Sequence, residues 1–441
     1  MRTDLEARHR TGVALATALA AVGFVLYWFD AGRPFGYDEA ETVGNFVRQG
    51  SFVRPFTHQI VFNNHPLFSF ALVLMRKVGG FGEAWMRLLP ALLGAATVGL
   101  FTGWAYRRYG WRAAVGGALV LGTCPLFVSQ VRQARGYALI VFCALVASIV
   151  LVDDLRSRGW RVVYVAAIAI AVGTHLYALL VVAGHLGFVL VRRRAREDRV
   201  ADLVSLALGV GLGALVYVGL WDTMARVASQ HRGVSHPEFP SQVLHGLLGR
   251  SFVAIAIVAV LLVVAASDLL RRPELLAAVA FPVAALLWIW KVDRPVELYP
   301  RFMIAAALPI AAAIAWVIHR HPPLFPVAIV AAVALLVPQL PRLDHEPPLK
   351  AVARDVDATR ALGLEPCAFS PWPLGAYTAL PRQARSVRAA AGCDVIVQVG
   401  AFGRSLVPAL RARYPYEWRN GDLAVLSRVP RERLRAAGQR E

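Results

Sequence analysis

The chain has 441 residues, 57% of them hydrophobic and 17% charged, with a mean hydropathy of +0.53. A soluble globular domain carries more charge and less apolar weight, so that class is excluded. Lysine and arginine total 47 against 28 acids, a formal net charge of +19. The arginines crowd into short loops between apolar runs, which is a topology signal and argues against nucleic acid as a partner.

In chain order, a basic start (Arg2, Arg8, Arg10) leads into the apolar run Val13–Phe29. No small-residue cleavage site follows that run, so it reads as a retained anchor with its N-terminus in the cytoplasm. Directly after it comes Gly36-Tyr37-Asp38-Glu39-Ala40-Glu41. Two adjacent acids where a first span leaves the membrane are costly decoration but a natural place for a general base. Neighbours on a helix do not face each other, so one acid would act and the other position it. The alternative is that both merely cap a surface helix.

Pro66–Val78 is apolar but short for a crossing of about 30 Å, and an interfacial or shallow re-entrant helix is expected. Further spans are expected at 88–106, 113–129, 137–152, 162–175, 176–191, 200–221, 243–269, 275–290, 301–318 and 323–340, about eleven in all with the first. The stretch 162–191 counts as two because Arg156, Arg158 and Arg161 precede it and Arg192, Arg193, Arg194, Arg196 and Arg199 follow it. Both flanks then lie in the cytoplasm, with a turn at Thr174-His175-Leu176-Tyr177 outside. Arg107-Arg108, Arg271-Arg272 and His319-Arg320-His321 fall inside by the same choice.

The fold class expected is an all-α polytopic membrane domain over 1–341, followed by a small extracytoplasmic α/β domain over 342–441. In that tail Cys393–Val399 and Leu423–Leu426 read as strands and Ser405–Tyr414 as a helix. Cys124 and Cys143 lie in apolar runs and read as packing residues. Cys367 and Cys393 would face an oxidising compartment, where a disulfide and two buried thiols both remain open.

The outer side collects Asp38, Glu39, Asn63, Asn64, His65, Arg87, Arg132, Arg135, Tyr137, His175, Tyr177, Asp293, Arg294, Tyr299 and Arg301. Carboxylates, arginines, histidines and tyrosines at a membrane boundary suit deprotonation of a hydroxyl while a phosphate leaves. A sugar on a membrane polyprenyl phosphate presents its phosphate at that depth, and arginine forks would hold it. Taken singly, Arg87 and Arg135 also fit headgroup anchors, and His175 also fits a turn cap. CxxC, HExxH, GxxxxGK[ST] and GxSxG are absent. His58 and His65 lie near the acids without metal-ligand spacing, so dependence on a divalent metal stays open.

Five short elements in order resemble the polyprenyl-phosphate-dependent GT-C glycosyltransferases, the bacterial relatives of protein O-mannosyltransferases and of the lipid A aminoarabinose transferase. They are Asp38-Glu39, Asn64-His65-Pro66-Leu67, Gly82–Gly94 (Gly-Glu-Ala-Trp-Met-Arg-Leu-Leu-Pro-Ala-Leu-Leu-Gly), Gln133-Ala134-Arg135-Gly136-Tyr137 and Thr174-His175-Leu176-Tyr177. The likeness covers residue 13 to about 320. It implies a bacterial plasma-membrane transferase that moves a sugar from a polyprenyl-phosphate donor to an acceptor glycan, lipid or protein outside the cytoplasm, with inversion. On that likeness Asp38 is the base, Glu39 its neighbour, and Arg87, Arg135 and His65 lie at the donor phosphate. Tyr137, His175, Tyr177, Tyr299 and Arg301 would line the substrate. The chain departs from the family's His-Pro-Pro-Leu by one proline, and has Arg-Leu-Leu-Pro where Arg-Leu-Pro-Ser is common. A lipid-linked glycan flippase or transporter, and a polymerase or ligase using a diphosphate-linked oligosaccharide, are the competing classes. Span interiors without Asp or Glu argue against coupled transport.

Overall fold

The computed structural model describes residues 2–58, 64–154, 157–230, 238–291, 299–339, 348–368, 374, 376–378, 381–383, 392–398, 410, 413–420 and 423–438. The chain forms two compact units. The first comprises Met1–Phe29, Val53–Phe68 and Arg87–Leu343; the second comprises Asp30–Phe52, Ser69–Met86 and Asp344–Glu441.

The first unit is helical, and each expected span is a helix or a pair of helices. Among the described residues, four helices are long and apolar enough to cross a membrane singly, seven if each bent pair counts as one span. Tyr137–Val152, Leu176–Val191 and Pro273–Ile289 are shorter apolar helices. The unit is that of a multi-pass membrane protein.

Continuous apolar spacing over 113–129, 200–221 and 243–269 predicts three single helices, and here the structure differs. Trp111–Thr123 and Pro125–Val131 are bent by 64°, and Phe239–Leu248 and Phe252–Asp268 by 88°. Pro125 opens the second member of the first pair, where its missing N–H costs nothing but the preceding residue is pushed out of the helical region; Cys124 has ψ 121°. In the other pair Gly249 adopts φ 74°, and Ser251 Oγ then caps the new helix by accepting from Ala254 N at 3.4 Å. The third break, after Leu215, bends the chain by 45°.

Small residues set the helix spacing. A Cβ on Gly117 would stand 2.8 Å from the carbonyl oxygen of Ala311 and 2.9 Å from the Phe101 ring, so the helices Trp111–Thr123 and Ala307–Arg320 approach backbone to backbone. Phe101, Phe127, Ile314 and Tyr27 belong to one continuous core, and the Tyr27 hydroxyl donates to Gly122 O at 3.1 Å. At the arginine-rich end, acids at the helix termini hold the basic loops. Arg194 bridges Asp154 and Asp202, Arg108 meets Asp153 at 2.6 Å, and Trp316 Nε1 donates to Asp268 at 3.0 Å.

The second unit is built on a five-stranded sheet of order β2-β1-β3-β5-β4. Its strands are β1 (Pro366–Ala368), β2 (Arg382–Gln383), β3 (Val395–Gln398), β4 (Tyr416–Asn420) and β5 (Leu423–Ser427). β1 pairs in parallel with β2 and β3, whereas β5 runs antiparallel to β3 and β4. The expected strands at 393–399 and 423–426 are thus central, with Val395, Ile396, Val397 and all of β5 buried. The expected helix Ser405–Tyr414 lies largely outside the described residues. Cys367 and Cys393 form a disulfide with Cα atoms 5.9 Å apart, joining the middle of β1 to the approach to β3. Of the two arrangements open from sequence, the bridge is present. Cys124 and Cys143 are buried free thiols, as expected.

The same unit contains the acidic turn. Tyr37–Thr42 is a helix that widens into a π-helical turn, Val43–Val47. The Arg76 guanidinium caps its end by donating to Val47 O at 2.6 Å and to Arg48 O. The short apolar segment expected to lie at the interface is the helix Pro66–Gly79.

Candidate active site

In the first unit several of the predicted residues gather around His65. Arg135 donates from Nη2 and Nε to His65 Nε2, at 2.9 and 3.2 Å, with 1% and 0% of the two residues exposed. Because Nε2 accepts, the proton of the neutral ring sits on Nδ1. Tyr137 sets its edge on the His65 ring at 4.7 Å and lies under the Arg135 guanidinium at 5.6 Å. The His175 ring is 4.8 Å from that of His65, and its Nδ1 accepts from Tyr177 N at 3.2 Å. His175 is therefore both the cap of the turn and a member of the cluster.

Tyr177 stacks on Phe302 at 3.5 Å and 11°, and Arg301 lies over Tyr299 at 4.1 Å. Phe302 also lies 5.5 Å from His175. His65, Arg135, Tyr137, His175, Tyr177, Tyr299 and Arg301 thus form one aromatic and cationic cluster drawn from four turns. Arg132 donates to Phe29 O at 2.7 Å, tying the turn that carries Arg135 to the end of the first helix. Arg87 is 1% exposed near the start of the helix Glu83–Tyr109. Asn64 Nδ2 donates to Pro55 O at 3.3 Å. Asn63, Asp293 and Arg294 lie outside the described residues.

Burial, then the Arg135 and Arg301 charges, holds the His65 imidazole well below the ordinary histidine value. Burial, then Arg135 and Arg301, pushes His175 down to about 3. Both rings are neutral at pH 7. His65 Nδ1 and His175 Nε2 are buried with no hydrogen-bond partner among the described residues.

In the second unit Glu39 is 2% exposed, and its Oε2 accepts from Gly36 N at 2.9 Å, closing the helix start on itself. Asp38, one residue earlier, is half-buried, and its carbonyl accepts from Thr42 Oγ1 at 3.1 Å. Among the described residues, no group of three or more His, Cys, Asp or Glu is placed to hold a metal ion.

Sequence reasoning assigned no role to Gly136, named only within the Gln133–Tyr137 element, and missed Phe302. A Cβ on Gly136 would meet Thr174 Cγ2 at 2.6 Å and His65 Nδ1 at 2.9 Å, so only glycine lets these turns close on the histidine. The available signal was a glycine wedged between Arg135 and Tyr137. Phe302 carried none beyond its place after Arg301.

Residues 63–221 match a family model described as Dolichyl-phosphate-mannose-protein mannosyltransferase. That span holds His65, Arg87, Arg135, Tyr137, His175 and Tyr177. No curated protein matches the sequence. Among solved structures, ArnT from Cupriavidus metallidurans in the apo state superposes with a TM-score of 0.64 at 15% identity, covering 93% of this chain and 97% of that one. The same protein bound to undecaprenyl phosphate gives 0.61 at 17%, covering 94% and 98%. The chain is a multi-pass membrane protein with the fold of ArnT, and the segment that matches the mannosyltransferase family model carries the centre of its candidate site.

Proposed function

We propose that this protein is a membrane glycosyltransferase that moves a sugar from a polyprenyl-phosphate donor to an acceptor hydroxyl on the extracytoplasmic face, with inversion. The observation that carries the reading is the buried Arg135–His65 pair, set in the segment that matches the mannosyltransferase family model. A guanidinium dried and oriented in this way is suited to a phosphate at the membrane boundary, the diester of the donor and the monoester that leaves. The solved relative bound to undecaprenyl phosphate supports the class of lipid carrier. The disulfide supports an extracytoplasmic tail, since such bonds persist in oxidising compartments.

In the proposed reaction the Asp38 carboxylate takes the proton of the acceptor hydroxyl. The hydroxyl oxygen attacks the anomeric carbon from the side opposite the phosphate. The bond from that carbon to the phosphate oxygen breaks, and polyprenyl phosphate leaves with its electron pair. Arg135 and Arg87 stabilise the charge that grows on the leaving oxygen. His65 orients Arg135, and Glu39 holds the helix start that carries Asp38. Tyr137, His175, Tyr177, Tyr299 and Arg301 shape the substrate pocket.

The test is to screen purified protein against polyprenyl-phosphate sugars while measuring released polyprenyl phosphate, with Asp38→Asn in parallel. Asn keeps shape but not basicity, so turnover should fall by roughly 10²–10⁴ with donor binding retained. A folded Asp38→Asn with near-normal transfer removes Asp38 as the base.

A further inference from the structure

We propose that Tyr377 and Thr378, in the C-terminal domain, are positioning residues that grip the acid-bearing helix at both ends. This inference rests on the reading of Asp38 as the base. One short turn supplies both contacts, closed by Tyr377 N and Thr378 N donating to Leu374 O at 2.9 and 3.0 Å. At the leading end of the helix the Phe35 amide donates to the Tyr377 hydroxyl oxygen, and the two rings lie 6.0 Å apart. Phe35 is fully buried, also against Phe81 at 6.4 Å. Its neighbour Gly36 is the residue whose amide Glu39 accepts. At the trailing end Arg48 Nη1 donates to Thr378 O at 2.9 Å.

The turn is itself anchored. Thr378 Oγ1 donates to Asp357 and accepts from Arg360 Nη1 at 2.9 Å, so both of its roles are satisfied by the helix Pro348–Ala361. The turn also lies within the segment closed by the Cys367–Cys393 bridge. A helix of one and a half turns, followed by a π-helical turn, has little stability of its own. Its ends need ties, and the tail supplies one at each, beside the Arg76 cap at the trailing end. This gives the C-terminal domain a task in the reaction although it carries none of the proposed catalytic groups.

The test uses the full-length protein with Tyr377→Phe, which keeps the ring and removes the hydroxyl that accepts from Phe35 N. Amide hydrogen exchange over 36–47 should quicken about fivefold, the equivalent of one hydrogen bond. Turnover should fall by a similar factor or more, while the KM for donor stays within about twofold and the thermal midpoint is unchanged. Arg48→Ala should do the same from the other end, and the double variant should exceed either alone. Exchange unchanged in Tyr377→Phe overturns the grip, and exchange quickened with normal turnover overturns its role in the reaction. Asp38→Asn measured alongside separates the two readings: if it stays active, the base is wrong, while the exchange data still decide the grip.

Discussion

Arg194 and Arg135 are both buried arginines of the membrane unit, and their partners differ in kind. Arg194, its side chain 7% exposed, spends its two terminal nitrogens on Asp154 and Asp202. Arg135 turns Nε and Nη2 toward a neutral imidazole. A carboxylate fixes a guanidinium and cancels its charge, whereas the His65 contact fixes it and adds no negative charge. The first arrangement staples loops together; the second orients a guanidinium inside the aromatic cluster of the candidate site.

The largest effect should come from Arg135→Ala. Loss of a donor aimed at a developing oxyanion costs roughly 10²–10³ in turnover. Donor binding, read by titration with a polyprenyl phosphate, should weaken as well, while folding survives. Arg194→Ala should invert this pattern. It leaves Asp154 and Asp202 without their shared cation, so stability should drop by about 2–3 kcal/mol, allowing for their partial exposure. Turnover per folded molecule should hold, and equal damage to turnover in the two variants would erase the distinction.

Next comes pH. The folded His175 is held near 3 against an ordinary value of 6.5. A depressed histidine contributes nothing to pH dependence above 6.5, where both states are neutral. As pH falls below 6.5 the unfolded chain gains the proton first, so stability is lost progressively toward pH 3, by roughly 2 kcal/mol for this group at pH 5. His65 acts in the same direction. A thermal midpoint that falls between pH 7 and pH 5, and falls less in His175→Asn, is the expected result.

The subtlest comparison is His65→Gln against His65→Glu. Both offer Arg135 an oxygen acceptor, but only Glu brings a charge. Donor affinity should be about tenfold lower in the Glu variant than in the Gln variant, because the carboxylate competes with the phosphate. Equal affinities would mean that neutrality of the partner is irrelevant.

Much of this was legible in the sequence, for a definable reason. Hydropathy and arginine placement report the cost of moving segments into lipid, so each span appears as helix, and Thr174–Tyr177 appears as the break between two of them. The turn residues His65, Arg135, His175 and Arg301 were legible because polar groups at a membrane boundary stand out against apolar neighbours. Transfer energy carries no direction, however, and apolar runs hid the bends at Pro125 and Gly249. The Gly136 contact depends on two other turns arriving at the same place, which no local window records. Least visible of all was the partnership of Phe35 with Tyr377, since a tyrosine in a polar tail carries no mark of a partner 342 positions away.

That separation has a consequence in time. A ribosome adds roughly 5–20 residues per second, so the acidic helix exists for about 20–70 s before Tyr377 is made. During that interval the nascent protein holds Asp38 and the buried arginines but lacks the turn that fixes the acid's direction. Closing the Cys367–Cys393 loop removes further freedom from the unfinished tail, by about 3–4 kcal/mol in the chain-entropy view of a loop with 26 residues of separation. On the proposed reading, catalytic competence is tied to completion: a chain cut short before residue 377 keeps its acids and the Arg76 cap, and lacks the Tyr377 and Thr378 contacts at the two ends of the acidic helix.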